Sequence, residues 1–384
     1  MKTINLKTAR SFVVATQLPE PLKGKSGTLQ AIEHLGYIQI DTISVIQRAH
    51  HHVLWTRVPD YQPEFLQQLT AERKIHDYWA HAASFLPMRD YRFSLIRKKE
   101  VEKSDGHWFK KDPKLMRFVL QQFKKRGALM SRDFEKSDFQ SNHAWNRHPI
   151  NQAIMNLYMS GKLMITGRKK FQKIYDLPER IIANNVNTKM PTQQEYFEYL
   201  IERDIRAHGL IKAREIGYLL KIDRKTLKNI LQKKVKSGEV EEIKIEGVDG
   251  TYFVFTGSLE KISPTKKKVF YLLSPFDNLV IQRKRLSEIF NYEYQIECYV
   301  PEAKRKVGYF ALPMLFGNEF VGKIDLKADR KTKILWVKNL VWENNVKKTK
   351  TMLTAFNKKL QSFMKFNGCE SIQVEEKLST KDIF

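Results

Sequence analysis

The sequence predicts an α+β protein in which helical units, each closed by a short strand hairpin, precede a mixed α/β region with antiparallel strands. Three observations carry this. Apolar residues recur at helical spacing through the first two thirds of the 384-residue chain. Three of those helices end at a glycine that runs into an extended stretch. Beyond about Pro264, strand-like segments separated by turn residues take over.

The helices are read at Leu6–Thr16, Thr28–Leu35, Lys114–Lys125, Asn151–Ser160, Gln193–Arg206 and Thr226–Lys236, where apolar residues fall at i, i+3 and i+4. Gly36 leads into Tyr37-Ile38-Gln39-Ile40, Gly161 into Lys162-Leu163-Met164-Ile165, and Gly238 into Glu239-Val240-Glu241-Glu242. Glycine just past a helix end is the expected left-handed cap, and the β-branched residues that follow favour a strand. Two units also share an upstream break, Gly127 to Asp133 and Gly209 to Glu215. Helix, short helix, longer helix, glycine and hairpin is the order of a winged helix-turn-helix. Three tandem winged-helix domains are therefore expected, at 1–105, 106–187 and 188–262, followed by a C-terminal α+β domain at 263–384. In that last domain Tyr294–Val300, Val307–Leu312, Phe320–Leu326 and Ile334–Leu340 read as strands, with turns at Asn318 and Asp329. Met352–Phe366 reads as a helix and Ser371–Val374 as a final strand. The Pro- and Lys-rich stretch Ser263 to Lys268 is the expected linker, and Lys377–Lys381 a loose tail.

Composition narrows the function. With 42% hydrophobic and 29% charged residues the chain has enough apolar side chain to fold. No apolar run approaches the roughly 18–20 residues of a membrane span, and Met1 to Thr16 lacks the apolar core of a signal peptide. Two cysteines, Cys298 and Cys369, are too few for a disulfide framework or a Cys-based zinc site. A cytoplasmic, nucleoid-associated protein is expected. Sixty-eight Lys+Arg against 42 Asp+Glu give a net charge of +26, spread along the chain, which favours a polyanionic partner such as nucleic acid.

The densest polar cluster is Gln39 and Asp41, then Gln47, Arg48, His50, His51, His52 and Arg57. On a strand, period two sets Gln39 and Asp41 on one face with Tyr37, while Ile38 and Ile40 point to the core. An amide beside a carboxylate can hold one water molecule. Alternating polar residues are also the solvated face of many ordinary strands. The three histidines on a helix point about 100° apart and cannot converge on one ion, so no metal is expected. Beside Arg48 and Arg57 they suit phosphate and sugar contacts. Trp79 to Pro87 reads as a core segment with one histidine, His81. Arg283 and Arg285, after the turn Ser274 to Leu279, are compatible with backbone phosphates. The basic helix Asp223–Lys236 occupies the recognition-helix position of its unit. No Gly-rich phosphate loop, Gly-x-Ser-x-Gly elbow or dinucleotide fingerprint occurs, which argues against an ATPase, a common hydrolase or a Rossmann dehydrogenase.

The run Gly36-Tyr-Ile-Gln-Ile-Asp-Thr-Ile-Ser-Val-Ile-Gln-Arg-Ala-His-His-His-Val-Leu-Trp-Thr-Arg57 closely resembles the signature of the YcaQ/AlkZ-like winged-helix DNA glycosylases. The likeness continues through Tyr78 to Pro87, Gly161 to Ile165, Tyr175 to Leu177, Leu273 to Leu279 with Arg283 and Arg285, and Phe320 to Arg330. Ile281-Gln282 departs from it, since many relatives carry Trp-Asp there. The resemblance implies a monofunctional glycosylase acting on alkylated double-stranded DNA, with Gln39-Ile40-Asp41 as the Gln-x-Asp form of the catalytic motif. Asp41 would then be base and charge stabiliser and Gln39 the orienter of water, with Arg48, His50, His51, His52, Arg57, His81, Arg283 and Arg285 on the DNA. No metal or cofactor is implied, and the protein is expected to be a monomer that does not act at a membrane. The competing expectation from another class is a non-enzymatic winged-helix transcription regulator, which would read bases with helix Asp223–Lys236 and usually be a dimer. An RNA-binding or architectural protein rests on charge alone.

Overall fold

The computed structural model describes residues 1–105, 108–134, 149–169, 171–261 and 268–375. Most of the expected linker and all of the expected tail lie outside the described residues. By packing, the chain forms two compact units, Met1–Tyr61 with Leu200–Phe384, and Gln62–Tyr199.

In the first unit, helix Leu6–Gln17 begins at Asn5, whose side chain accepts the Thr8 N–H at 2.8 Å and so satisfies an otherwise orphaned donor. Its Ala9, Phe12 and Val13 are buried at i, i+3 and i+4. They share a core with Ile243, Tyr252, Leu273, Ile289, Tyr292 and Leu315. Helix Arg224–Lys236 is capped by Asp223, buries Leu227, Ile230 and Leu231, and turns Lys225, Lys228, Lys233 and Lys236 to solvent. Strands Val240–Ile245 and Val248–Phe255 follow it as an antiparallel hairpin, and Lys2–Ile4 pairs parallel to the first of them. A second sheet runs in the order Ser371–Val374, Ile334–Trp342, Glu319–Asp329, Leu312–Phe316, Phe270–Leu272. Its pairs are antiparallel apart from the first, which is parallel. Helix Lys350–Phe366 buries Phe356, Leu360 and Phe363, and its Phe366 stacks on Trp55 of helix Ala49–Arg57 at 4.8 Å.

In the second unit, strands Ala83–Pro87, Ile75–Trp79, Met164–Lys169 and Gln172–Asp176 form consecutive antiparallel pairs. Helix Pro113–Arg126, capped by Asp112 with proline at its first position, buries Leu115, Val119 and Phe123 against Ile150, Ile154 and Leu157 of helix Pro149–Met159.

The repeated breaks hold in register between the two units. Two residues after Gly127, Leu129 forms an antiparallel bridge with Tyr175, and two after Gly209, Ile211 does the same with Phe253. Six residues after each glycine an acid takes a backbone N–H three residues back. Asp133 accepts from Met130 at 2.7 Å and Glu215 from Lys212 at 3.1 Å.

Two expected strands are absent. Residues 294–311 form a loop interrupted by a single 3-10 turn at Glu302–Lys304, and the next strand begins only at Leu312. Of the apolar residues that suggested strands, Tyr294, Phe310 and Ala311 are buried from within the loop, Ile296, Val300, Val307 and Tyr309 are half-buried, and Tyr299 is exposed. The Tyr292 and Tyr294 hydroxyls donate to Gly322 and Ala311 carbonyls at 2.8 and 2.6 Å. The loop's N–H groups are satisfied by carboxylates in place of a neighbouring strand. Glu297 accepts from Lys306, Val307 and Gly308 at 2.9–3.0 Å, and Asp325 from Phe310 at 3.2 Å.

Candidate active site

Helix Gly24–Leu35 ends at Gly36, which adopts φ +78°. A Cβ there would also stand 2.5 Å from the Arg203 side chain, so backbone angle and space both demand glycine. The strand that follows spans only Ile38–Gln39. Tyr37 and Ile38 are both buried, whereas Gln39, Ile40 and Asp41 are all half-buried. The expected alternation therefore fails at both ends: Tyr37 does not share a solvent face with Gln39, and Ile40 does not join the core. A two-residue strand is too short to impose its pleat on residue 41. Asp41 is instead oriented by its own turn, its Oδ1 accepting the Ile43 N–H at 2.7 Å. Burial raises the Asp41 carboxyl above its ordinary value, and the backbone N–H groups of Ile43 and Thr42 pull it part of the way back.

The loop after Asp41 is clamped by distant residues. Ala328 N–H donates to the Val45 carbonyl at 2.8 Å. The Arg330 guanidinium donates to Ser44 and Ile46 carbonyls at 3.0 Å each. Gln47 N–H donates to Asn367 Oδ1 at 2.7 Å. Beside this loop lies a cleft of about 580 Å³, lined by Val45 and Tyr309 and by Arg305, Lys306, Lys327 and Lys338 against Glu302 and Asp325. Four cations against two carboxylates give its walls a positive bias suited to an anionic ligand.

The other residues expected at the site are placed differently from one another. Arg57 is buried, its fork paired with both oxygens of Asp277 at 2.7 and 3.0 Å and two further donors on the Gln17 and Val53 carbonyls. Arg285 is buried against Glu215 and the His208 carbonyl, both at 3.0 Å. Arg283 donates to the Pro275 and Val280 carbonyls and faces the Tyr294 ring at 4.6 Å. His52 is buried, its Nε2 2.8 Å from the Leu272 carbonyl, and burial pushes its imidazole down to about 4. His50 is buried as well, its ring 4.2 Å from that of His51. His51 Nδ1 lies 2.7 Å from the Tyr61 hydroxyl, and burial with the Arg48 charge lowers it to about 4. Arg48 is half-buried at the start of helix Ala49–Arg57. His81 is half-buried in the turn between strands Ile75–Trp79 and Ala83–Pro87, so the expected core segment is a hairpin.

Sequence reasoning missed the clamps. Arg330 closes one of the quoted blocks but carried no role there, and Asn367 and Arg305 gave no signal, since they meet the loop or cleft only through folding. Gln282, at the departure from Trp-Asp, is buried 3.5 Å from His208 Nε2.

The fold is similar to that of the Streptomyces sahachiroi DNA glycosylase AlkZ, with a TM-score of 0.63 at 14% identity, covering 98% of this chain and 100% of that one. Residues 32–366 match the family described as DNA glycosylase AlkZ-like, a span that contains the Gln39 and Asp41 segment, its clamps Ala328 and Arg330, and the cleft. This chain therefore belongs to the AlkZ-like DNA glycosylase family, enzymes that hydrolyse N-glycosidic bonds in DNA.

Proposed function

We propose that this chain is a monofunctional glycosylase of the Gln-x-Asp type that releases bulky or crosslinked N7-alkylguanine and N3-alkyladenine from duplex DNA, unhooks interstrand crosslinks and leaves an intact abasic site. The observation that carries this is Asp41: a half-buried carboxylate held by its own turn, on a loop clamped beside a positive cleft. Alkylation at N7 or N3 places a positive charge on the base and weakens its glycosidic bond. The enzyme then has to stabilise an oxocarbenium-like sugar and deliver water to its anomeric carbon. Asp41 does the first by charge and the second as general base, and Gln39 orients the water. No lysine nucleophile or cofactor takes part.

The matching breaks, bridges and caps after Gly127 and Gly209 support reading these stretches as winged helices, with domains 1–105, 106–187, 188–262 and 263–384. Arg57, His50, His52, Arg283 and Arg285 hold the framework from within. Arg48, His51, His81 and the exposed lysines of helix Arg224–Lys236 are assigned to phosphate contacts, and salt weakens binding steeply through counterion release. Family membership does not favour a non-enzymatic regulator. The test is incubation with DNA carrying N7-methylguanine or nitrogen-mustard adducts, followed by hot alkali. Strand breaks at guanines are expected with the wild type and not with Asp41→Asn; intact strands with the wild type reject the proposal. Mono-adduct and crosslinked oligonucleotides run side by side decide whether crosslinks are unhooked.

A further inference from the structure

Tyr299 is the most exposed large apolar side chain among the described residues, at 80%. An isolated exposed tyrosine needs no explanation, but this one is mounted rigidly. Glu297 C=O accepts the Val300 N–H at 2.9 Å, which makes Glu297–Val300 a β-turn with Cys298 and Tyr299 at its corners. The turn is fastened on both sides. The buried Glu297 carboxylate takes three backbone N–H groups of residues 306–308. Arg305 Nε donates to the Val300 carbonyl at 3.0 Å, and its guanidinium lies 5.1 Å from the Tyr309 ring in the wall of the cleft that Val45 also lines. Gly308 admits no side chain, because a Cβ would lie 2.0 Å from Asp325 Oδ2. The turn also lies in the field of the Asp41 carboxylate, which after burial raises Cys298 and, after burial and Cys298, raises Tyr299.

We propose that Tyr299 is the stacking face for the damaged base, its electron-rich ring lying against the cationic alkylpurine while Asp41 directs water to the attached sugar. The inference rests on the glycosylase reading above and gives that site a selector for positive charge on the base. A phenol ring attracts a cation through its π-face, and stacking of bases on aromatic side chains is independent of sequence. The fixed turn spares the site the entropy of ordering that side chain at each encounter.

The test is single-turnover excision of 7-methylguanine from a duplex, with affinity measured for undamaged DNA and for a duplex carrying a tetrahydrofuran abasic analogue. Tyr299→Ala is expected to slow excision by about 10-fold or more, and Tyr299→Phe and Tyr299→Trp by no more than about threefold, because the ring face and not the hydroxyl acts. Both affinities should stay within about twofold of wild type, since neither duplex carries a cationic base. Wild-type rates in Tyr299→Ala, or a Phe variant as slow as Ala, overturn the inference while leaving the glycosylase reading intact. Loss of tetrahydrofuran-duplex affinity matching the loss of rate makes Tyr299 a gap-filling wedge and also overturns it. A wild-type protein that releases no base removes both. The side chain is solvent-exposed, so each variant is expected to fold.

Discussion

The Arg57 guanidinium meets the Asp277 carboxylate in a two-pronged pair at 2.7 and 3.0 Å, with the two side chains 1% and 0% exposed. It joins the signature run that ends at Arg57 to the block Leu273 to Leu279, more than 200 positions away. Asp277 also accepts the Leu279 N–H at 2.9 Å and so starts helix Asn278–Ile281. Removing one partner of such a pair leaves a buried charge unmatched. Arg57→Ala is expected to destabilise the protein by about 3–5 kcal/mol, and the double variant Arg57→Met/Asp277→Leu to recover most of that, read by chemical denaturation. A variant with lower DNA affinity and unchanged stability would return Arg57 to the interface.

Asp41→Asn keeps the shape of the turn but loses the charge. Excision of N7-methylguanine is expected to fall about 10²-fold or more, because general-base catalysis contributes 10²–10⁴. Undamaged-DNA affinity should change little. An Asn variant as fast as wild type removes Asp41 from the chemistry.

The same carboxylate sets the pH profile. As the proposed general base it must be ionised to act, and burial raises its pKa. The single-turnover rate should therefore fall with decreasing pH at a higher pH than for an ordinary aspartate, and Asp41→Asn should lose that acid limb. A wild-type profile that stays flat down to the range of an exposed aspartate contradicts the assignment.

Arg330 holds two carbonyls of the loop that carries Asp41. Arg330→Ala is expected to raise hydrogen exchange in residues 43–47 and to slow excision by about 10-fold, since small misplacements of catalytic groups are costly. Arg330→Lys should recover only part, because an ammonium lacks the planar fork. Unaltered exchange in the Ala variant would show that the loop is held without it.

In the other unit, burial pushes Lys98 down to about 7, with its ammonium 3.9 Å from the Tyr91 ring and 4.7 Å from that of Tyr78. The unfolded chain, where the value is near 10.5, binds more protons than the folded one between those limits. This group's penalty is therefore complete below about 7 and fades as the pH rises toward 10.5. Lys98→Met should raise Tm at pH 6 and flatten its rise between pH 7 and 10, measured by calorimetry. An unchanged slope would show that the rings keep Lys98 charged.

The sequence by itself determined the periodic elements and the left-handed caps. Gly36, Gly161 and Gly238 all take positive φ, and Ser371–Val374 is a strand as expected, because helix spacing, caps and β-branched runs are local properties. It also placed Gln39 and Asp41 in one short segment. Only the tertiary structure decided which cations are engaged inside the protein. Arg57 and Arg285 look like phosphate contacts in one dimension, yet each is consumed by an acid 70 or more positions away. It likewise decided that residues 294–311 form a loop, since Glu297 and Asp325 satisfy backbone groups that a strand partner would otherwise take. Such pairings depend on which distant groups folding brings within hydrogen-bond reach, and no spacing along the chain encodes that.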